Sequence, residues 1–107
     1  MKLPKFFGQL KKPKLVLIRR VVGGSMSPVL RPGQLLLAFP RFRRLRPGQV
    51  VIVSQGGREK VKRIERIDHG NVFVIGDNLK FSTDSRHFGW LKRRDVVARV
   101  VWPKITK

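Results

Sequence analysis

Short apolar runs rich in β-branched residues alternate with turn-forming residues along most of this chain. Such runs are typical of strands in a small β barrel or sandwich, and the long apolar stripe of an amphipathic helix is not evident. The pattern predicts strands near 15–22, 34–39, 49–53, 60–67, 71–75 and 96–102. We therefore expect a mainly β, single-domain fold of the barrel or sandwich type.

The segment 60–67 is ambiguous, because its apolar residues recur at a spacing of three, which also fits a short helix. The turn-forming cluster 68–71 follows, and the uninterrupted apolar run 72–75 comes next. A hairpin that joins two strands across this cluster is the simpler interpretation.

The tetrapeptide Arg-Pro-Gly-Gln occurs twice, at 31–34 and 46–49, each time leading into an apolar strand. Proline at the second position presets φ, and glycine at the third tolerates positive φ, as a type II turn requires. We interpret the repeat as recurring turn chemistry and not as an internal duplication.

Composition limits the chain to one modest core and excludes several kinds of chemistry. A length of 107 residues, of which 41% are hydrophobic, suits a single domain. The chain has no cysteine, which excludes disulfides, zinc ribbons and thiol catalysis. No dinucleotide or phosphate-loop motif is present either, so no cofactor or metal is expected.

Basic residues outnumber acidic ones by 25 to 6, which gives a formal net charge of +19. The cations are spread along the chain, with local clusters at 41–46 and 92–94. This balance fits a solvated basic surface as well as a face that binds nucleic acid, an acidic protein or an anionic membrane.

Residues 1–14 form a basic N-terminal arm, and residues 15–107 form the predicted domain. The longest apolar run near the N-terminus, 15–18, is too short for a membrane span or a signal peptide. We therefore expect a soluble, cytoplasmic protein, with peripheral contact to an anionic membrane as its only membrane association.

A candidate nucleophile lies in the nucleophile segment, Gly23-Gly24-Ser25-Met26-Ser27-Pro28. The glycines permit a tight backbone path, and Pro28 prevents a regular helix from continuing, so this bend can expose the Ser25 hydroxyl. A plain Gly-Ser turn is the alternative interpretation.

A serine hydroxyl needs a base, and Lys62 is a candidate for that role. A lysine with its ordinary pKa of about 10.4 is protonated at neutral pH, so general-base catalysis requires a much lower pKa. We expect burial against Met26 and strand side chains to supply most of this decrease. The flanking cations Lys60, Arg63 and Arg66 should add to it. Lys60 is the second candidate base, and a solvated cation is the alternative interpretation of Lys62.

The loop segment, residues 76–89, begins with Gly76-Asp77-Asn78 at the end of an apolar strand. It continues through Ser82-Thr83-Asp84-Ser85-Arg86 to Phe88-Gly89. Taken alone, its first three residues are explained by an Asx turn.

Together the nucleophile segment, Val61-Lys62-Arg63 and the loop segment resemble the three sequence boxes of signal peptidase I-like serine-lysine endopeptidases. The resemblance implies the β-rich catalytic core of that family and peptide-bond hydrolysis by a dyad of Ser25 and Lys62. It also implies an oxyanion donor in the Ser25 backbone N–H and substrate contact at Met26. Gly23 stands where some family members have a serine whose hydroxyl assists, so the second oxyanion donor is unassigned.

The same resemblance implies supporting roles within the loop segment. Ser82 would orient the Lys62 amine, and Asp84 would pair with Arg86 and hold the loop. The supporting set comprises Asp77, Asn78, Ser82, Asp84 and Arg86.

The run from Ser82 to Gly89 is most similar to the maturation proteases of nickel-type superoxide dismutase. This narrower resemblance implies that the substrate is the precursor of nickel superoxide dismutase, from which an N-terminal propeptide is removed. Nickel would then bind the product, and the protease itself would need no metal.

Two other functions remain open. One is processing at an anionic membrane surface, with Phe6 and Phe7 touching lipid. The other is a basic nucleic-acid-binding β module without activity. His87 in a Ser-His-Asp triad and His69 as a metal ligand are weaker interpretations, because neither histidine has the partners at the spacing that such sites need.

Overall fold

The structure, a computed structural model, describes residues 16–105. The predicted basic arm, with Phe6 and Phe7, lies outside the described residues. Seven strands form one antiparallel sheet in the order β1-β2-β7-β3-β4-β5-β6, which confirms the mainly β fold. The strands are β1 Leu17–Arg20, β2 Leu35–Phe39, β3 Val50–Gln55, β4 Arg58–Asp68, β5 Asn71–Ile75, β6 Leu91–Lys92 and β7 Val96–Trp102.

Helical structure is limited to single turns at Leu79–Phe81, Ser85–Phe88 and Arg93–Asp95 within the described range. None of the helices among residues 16–105 is long and apolar enough to cross a membrane. The pattern of the sequence did not predict these turns or β6, because two to four residues are too few to establish a periodicity.

The ambiguous segment is a strand, and β4 pairs with β5 as the predicted hairpin, with Asp68 opposite Asn71. Its two turn residues, His69 and Gly70, have φ of 49° and 81°. Positive φ at both positions matches the twist of a two-residue hairpin.

The repeated tetrapeptides form matching turns before β2 and β3. Gly33 has φ of 86° and Gly48 has φ of 93°. The N–H of Gln34 donates to the Arg31 carbonyl at 3.1 Å, and Gln49 repeats this bond to Arg46 at 3.2 Å. Positive φ at the third position, with this bond, agrees with the predicted type II turns.

The sheet has a hydrophobic core on each face, and β3 contributes to both. Val50 and Ile52 belong to one core, whereas Val51 and Val53 belong to the other. This division follows from the two-residue period of a strand. Residues 58–63 of the neighbouring strand β4 therefore pair with a strand that is buried on both faces.

Candidate active site

The nucleophile segment is fixed between β1 and the loop segment. Val21 prolongs the β1–β2 pairing, since its N–H donates to the Gln34 carbonyl at 2.8 Å. The chain then turns through Gly23, whose φ is 80°, and reaches the partly exposed Ser25. The Asn78 N–H donates to the Ser25 carbonyl at 2.7 Å, which joins the two segments.

Lys62 projects from β4 and is buried, with 4% of its surface exposed. Its Nζ donates to Ser82 Oγ at 3.1 Å, and Ser82 Oγ donates to Asp84 Oδ2 at 2.6 Å. Because the only proton of the Ser82 hydroxyl is committed to Asp84, Ser82 can only accept from the amine. This one-way arrangement fixes the direction of one amine N–H and leaves the lone pair of a neutral Lys62 free to point elsewhere.

Asp84 anchors the loop segment and is fully buried. Burial alone would raise its pKa, but hydrogen bonds from Arg86, Ser82 and the Gly76 N–H hold the pKa well below the usual range. The Arg86 Nε lies 2.9 Å from Oδ1, and the Gly76 N–H lies 2.8 Å from Oδ2. Asp84 is therefore a charged acceptor that orders Ser82, and its charge is matched by Arg86.

The pKa of Lys62 is lowered, and burial is the largest cause. The charge of Asp84 opposes the shift, whereas Lys60 and Arg86 favour it. Burial as the main cause agrees with the prediction from the sequence. The predicted contributions of Arg63 and Arg66 are wrong.

Arg63 is buried and forms a bidentate pair with Asp77, at 2.8 and 2.7 Å. It also donates to the Gly48 carbonyl at 2.7 Å. Arg66 is exposed and lies over Phe73, 4.4 Å from the ring centroid. Asp77, one of the predicted supporting residues, therefore holds the start of the loop segment through Arg63.

Gly76 is the position where the nucleophile segment meets Ser82, which accepts from the Lys62 amine. A methyl group built on Gly76 would lie 2.6 Å from the Ser25 carbonyl oxygen and would collide with Ser82 Oγ. Only glycine leaves room for both neighbours. The sequence placed Gly76 in a motif but gave no indication that Ser25 and Ser82 pack against it, because neither is adjacent to it along the chain.

Met26, for which the resemblance implied substrate contact, is buried. Its side chain is 1% exposed and packs in the core that contains Leu30 and Leu36. Its Sδ accepts from the Asp77 N–H at 3.4 Å. An apolar residue next to a candidate nucleophile fits a substrate contact as well as a core position, and here Met26 packs in the core beneath the turn.

Ser25 and Lys62 line one cleft, with a volume of ≈ 580 Å³. Pairing with β3 covers residues 58–63 of β4, whereas pairing with β5 begins only at Arg63. Residues 58–62 therefore present an unpaired strand edge on the side away from β3. Between residues 16 and 105, the Ser25 N–H donates to no acceptor, so it can serve an incoming carbonyl oxygen.

The alternative site residues make other contacts, although Lys60 lines the same cleft. Lys60 donates to Gln55 Oε1 at 2.7 Å, and its amine lies 4.9 Å from the Phe88 ring centroid. His87 Nδ1 accepts from the Asp84 N–H at 3.2 Å and caps the helical turn, and His87 does not line the cleft. His69 is exposed in the β4–β5 turn beside Asp68.

Comparison with known proteins agrees with this geometry over part of the chain. Residues 54–105 match the family described as Signal peptidase, peptidase S26. The C-terminal half of the chain is signal peptidase-like. This stretch contains Lys62 and the whole loop segment, whereas Ser25 precedes it. The chain is also 44% identical over 48 residues to Signal peptidase I of Bacillus caldolyticus, an overlap of 42% of this chain and 26% of that relative. The overlap thus spans about a quarter of the relative's length.

Proposed function

We propose that this protein is a serine endopeptidase in which Ser25 is the nucleophile and Lys62 is the general base. The observation that carries the proposal is the Lys62 amine, which is buried, oriented by Ser82 and on the same cleft as Ser25. Burial lowers the pKa of Lys62, which favours the neutral amine that a general base requires. The signal peptidase S26 match over residues 54–105 supports the same class of chemistry.

The reaction has two stages. Ser25 Oγ attacks the scissile carbonyl carbon while the neutral Lys62 amine takes the hydroxyl proton. The tetrahedral intermediate then expels the amine product, which receives that proton from Lys62, and an acyl-serine remains. A water molecule attacks the ester, Lys62 again takes the proton, and the collapse of the second intermediate returns the proton to Ser25.

The surroundings of the dyad suit these steps. The Ser25 N–H is the proposed donor to the developing oxyanion, and the Gly24 carbonyl of the same peptide group accepts from the Ser27 N–H at 3.1 Å. An extended substrate can add to the unpaired edge of residues 58–62, which supplies main-chain hydrogen bonds along the peptide. Gly23 offers no side-chain donor, so the second oxyanion donor comes from backbone or water.

We further propose that the substrate is the precursor of nickel superoxide dismutase, processed in the cytoplasm by removal of an N-terminal propeptide. Support for this narrower assignment comes from the run Ser82–Gly89. The test is incubation of the purified protein with that precursor and measurement of the N-terminal mass of the product. Ser25→Ala and Lys62→Ala are the matched variants.

One defined cleavage that is lost in both variants would support the dyad and the substrate together. A cleavage that persists in either variant would refute the dyad. If the folded protein leaves this precursor intact, a search for new N-termini in a proteome digest distinguishes the two levels of the proposal. Cleavage of other proteins would refute only the assignment of the nickel superoxide dismutase precursor as substrate. No cleavage of any protein would refute the peptidase function.

Processing at a membrane surface is supported by a different observation. Val22 and Phe81 both line the cleft and are 89% and 75% exposed. Large apolar side chains exposed beside a cationic cleft suit contact with an anionic bilayer. Flotation with anionic vesicles, compared between the wild type and Val22→Ser with Phe81→Ser, tests this alternative. Equal flotation of both proteins would argue against it.

A further inference from the structure

The cleft that holds the proposed dyad has an excess of positive charge. Arg19, Arg20, Arg58 and Lys60 line it, and Glu59 is the acidic residue among its lining. Glu59 is already matched, since Arg19 approaches its two carboxylate oxygens at 2.7 and 3.2 Å. That pair joins β1 to β4, two strands that are not neighbours in the sheet. Glu59 therefore does not neutralise the other cations of the cleft.

The rest of the protein cannot balance them either. All six acidic side chains of the sequence lie within the described residues, and each already has a partner. Their contacts are Glu59 with Arg19, Glu65 with Arg66, Asp68 with His69, Asp77 with Arg63, Asp84 with Arg86, and Asp95 with the Lys92 N–H.

Arg58 and Arg20 are consequently available to an anion from outside. Arg58 is exposed and makes no side-chain hydrogen bond to residues 16–105. Arg20 donates from one nitrogen to the Gly33 carbonyl at 2.7 Å, which leaves further guanidinium N–H groups for a ligand. A guanidinium binds a carboxylate through two parallel hydrogen bonds, so a peptide carboxylate is a suitable ligand.

We propose that the substrate segment in this cleft carries an acidic side chain, bound by Arg58 with Arg20. The proposal rests on the peptidase function above and specifies its substrate class. Arg58 and Lys62 are four residues apart on β4, which at about 3.3 Å per residue is about 13 Å along the strand edge. A peptide added to that edge therefore places the acidic residue about four residues from the bond that Ser25 attacks.

The test measures binding to the Ser25→Ala protein, so that it does not depend on cleavage. The probes are 13-residue peptides of neutral background that carry a single Glu, or a single Gln, at successive positions. Fluorescence anisotropy at low and high salt gives their affinities. We expect one Glu position to bind about threefold to tenfold more tightly than its Gln counterpart, with the difference shrinking as salt rises.

Three variants in the same background locate the interaction. Arg58→Gln should remove most of the Glu preference, and Glu59→Gln, which frees Arg19, should increase it. Arg94→Gln removes the same charge from an exposed residue outside the cleft lining and should leave the preference in place. Opposite effects at neighbouring positions 58 and 59 are not expected from misfolding.

Equal affinities of all Glu and Gln peptides, or no measurable binding, would overturn the proposal. An effect of Arg94→Gln as large as that of Arg58→Gln would also overturn it, because the preference would then reflect net charge alone. Cleavage of neutral and acidic substrates at equal rates by the wild type would leave the peptidase intact and refute the acidic subsite. Selective binding of Glu peptides without any cleavage would retain the subsite and refute the peptidase.

Discussion

Substitution of Gly76 by alanine tests how closely the nucleophile segment packs against Ser82, the hydrogen-bond partner of Lys62. The added methyl group would lie 2.6 Å from the Ser25 carbonyl oxygen, whereas ordinary contact begins at 3.4 Å. The nucleophile segment must therefore retreat by about 0.8 Å, and Ser82 must move in another direction. A misplacement of about 1 Å in an active site can cost on the order of 100-fold in rate. We expect Gly76→Ala to lower kcat/KM of precursor cleavage by about that factor.

The same substitution should also reduce stability. Overpacking of a well-filled site costs about 1 to 3 kcal/mol, and the lower entropy of the unfolded alanine chain returns about 0.4 to 1 kcal/mol. Urea unfolding gives the net change. Gly24→Ala is the stability control, because its methyl group would contact only Ser27 Oγ, at 3.8 Å. We expect it to change the free energy of unfolding by less than Gly76→Ala.

A Gly76→Ala protein with wild-type kcat/KM and wild-type stability would refute the reasoning. It would mean that the nucleophile segment and Ser82 can separate freely, and so that Ser25 is not held against the loop segment. A loss of stability without a loss of rate would mean that the clash is relieved away from the dyad.

Three further substitutions follow from the charges around Lys62. Lys62→Met should abolish activity and stabilise the protein at pH 7, because burial depresses the pKa of Lys62 in the folded state below its ordinary 10.5. Between the folded-state and unfolded-state pKa of Lys62, the unfolded wild type binds more protons than the folded wild type, so wild-type stability rises with pH. The stability difference between Lys62→Met and the wild type, measured by urea unfolding, should therefore shrink towards pH 10.5. Arg86→Gln should leave the Asp84 charge unmatched and so raise the pKa of Lys62. The acid limb of the plot of kcat/KM against pH should then move to higher pH, and an unchanged limb would contradict this. Arg63→Gln should lower the free energy of unfolding in urea by about 3 to 5 kcal/mol, because it leaves Asp77 buried and unpaired. The acid limb should stay in place, and a shifted limb would show that Arg63 does affect the pKa of Lys62.

The sequence predicted the longer strands well, because each carries a recognisable apolar pattern and because Pro-Gly turns precede β2 and β3 and a His-Gly turn joins β4 to β5. It also predicted which segments meet at the cleft, through resemblance to a known family. It did not predict which cations act on Lys62. Arg63 is the next residue along β4, and successive side chains of a strand point to opposite faces, so Arg63 turns away and Lys60 does not.

The other differences arise from contacts between segments that are distant along the chain. Arg86 reaches the surroundings of Lys62 through Asp84 and Ser82, and no local pattern encodes that path. The crowding at Gly76 depends on Ser25 and Ser82 arriving from either side. Met26 is apolar beside a candidate nucleophile, which fits a substrate pocket as well as a core, and only the packing of the turn distinguishes the two.

The basicity of Lys62 is a property of the folded state and not of the residue. Burial is the main cause of its lowered pKa, so an unfolded or nascent chain carries an ordinary, protonated lysine at neutral pH. On the proposed mechanism, a chain still being synthesised therefore has no working base and cannot cut its neighbours. Opening of the loop segment would admit water to the amine and return its pKa towards the ordinary value. On the proposed mechanism, the integrity of one small loop therefore decides whether the folded sheet carries a working protease.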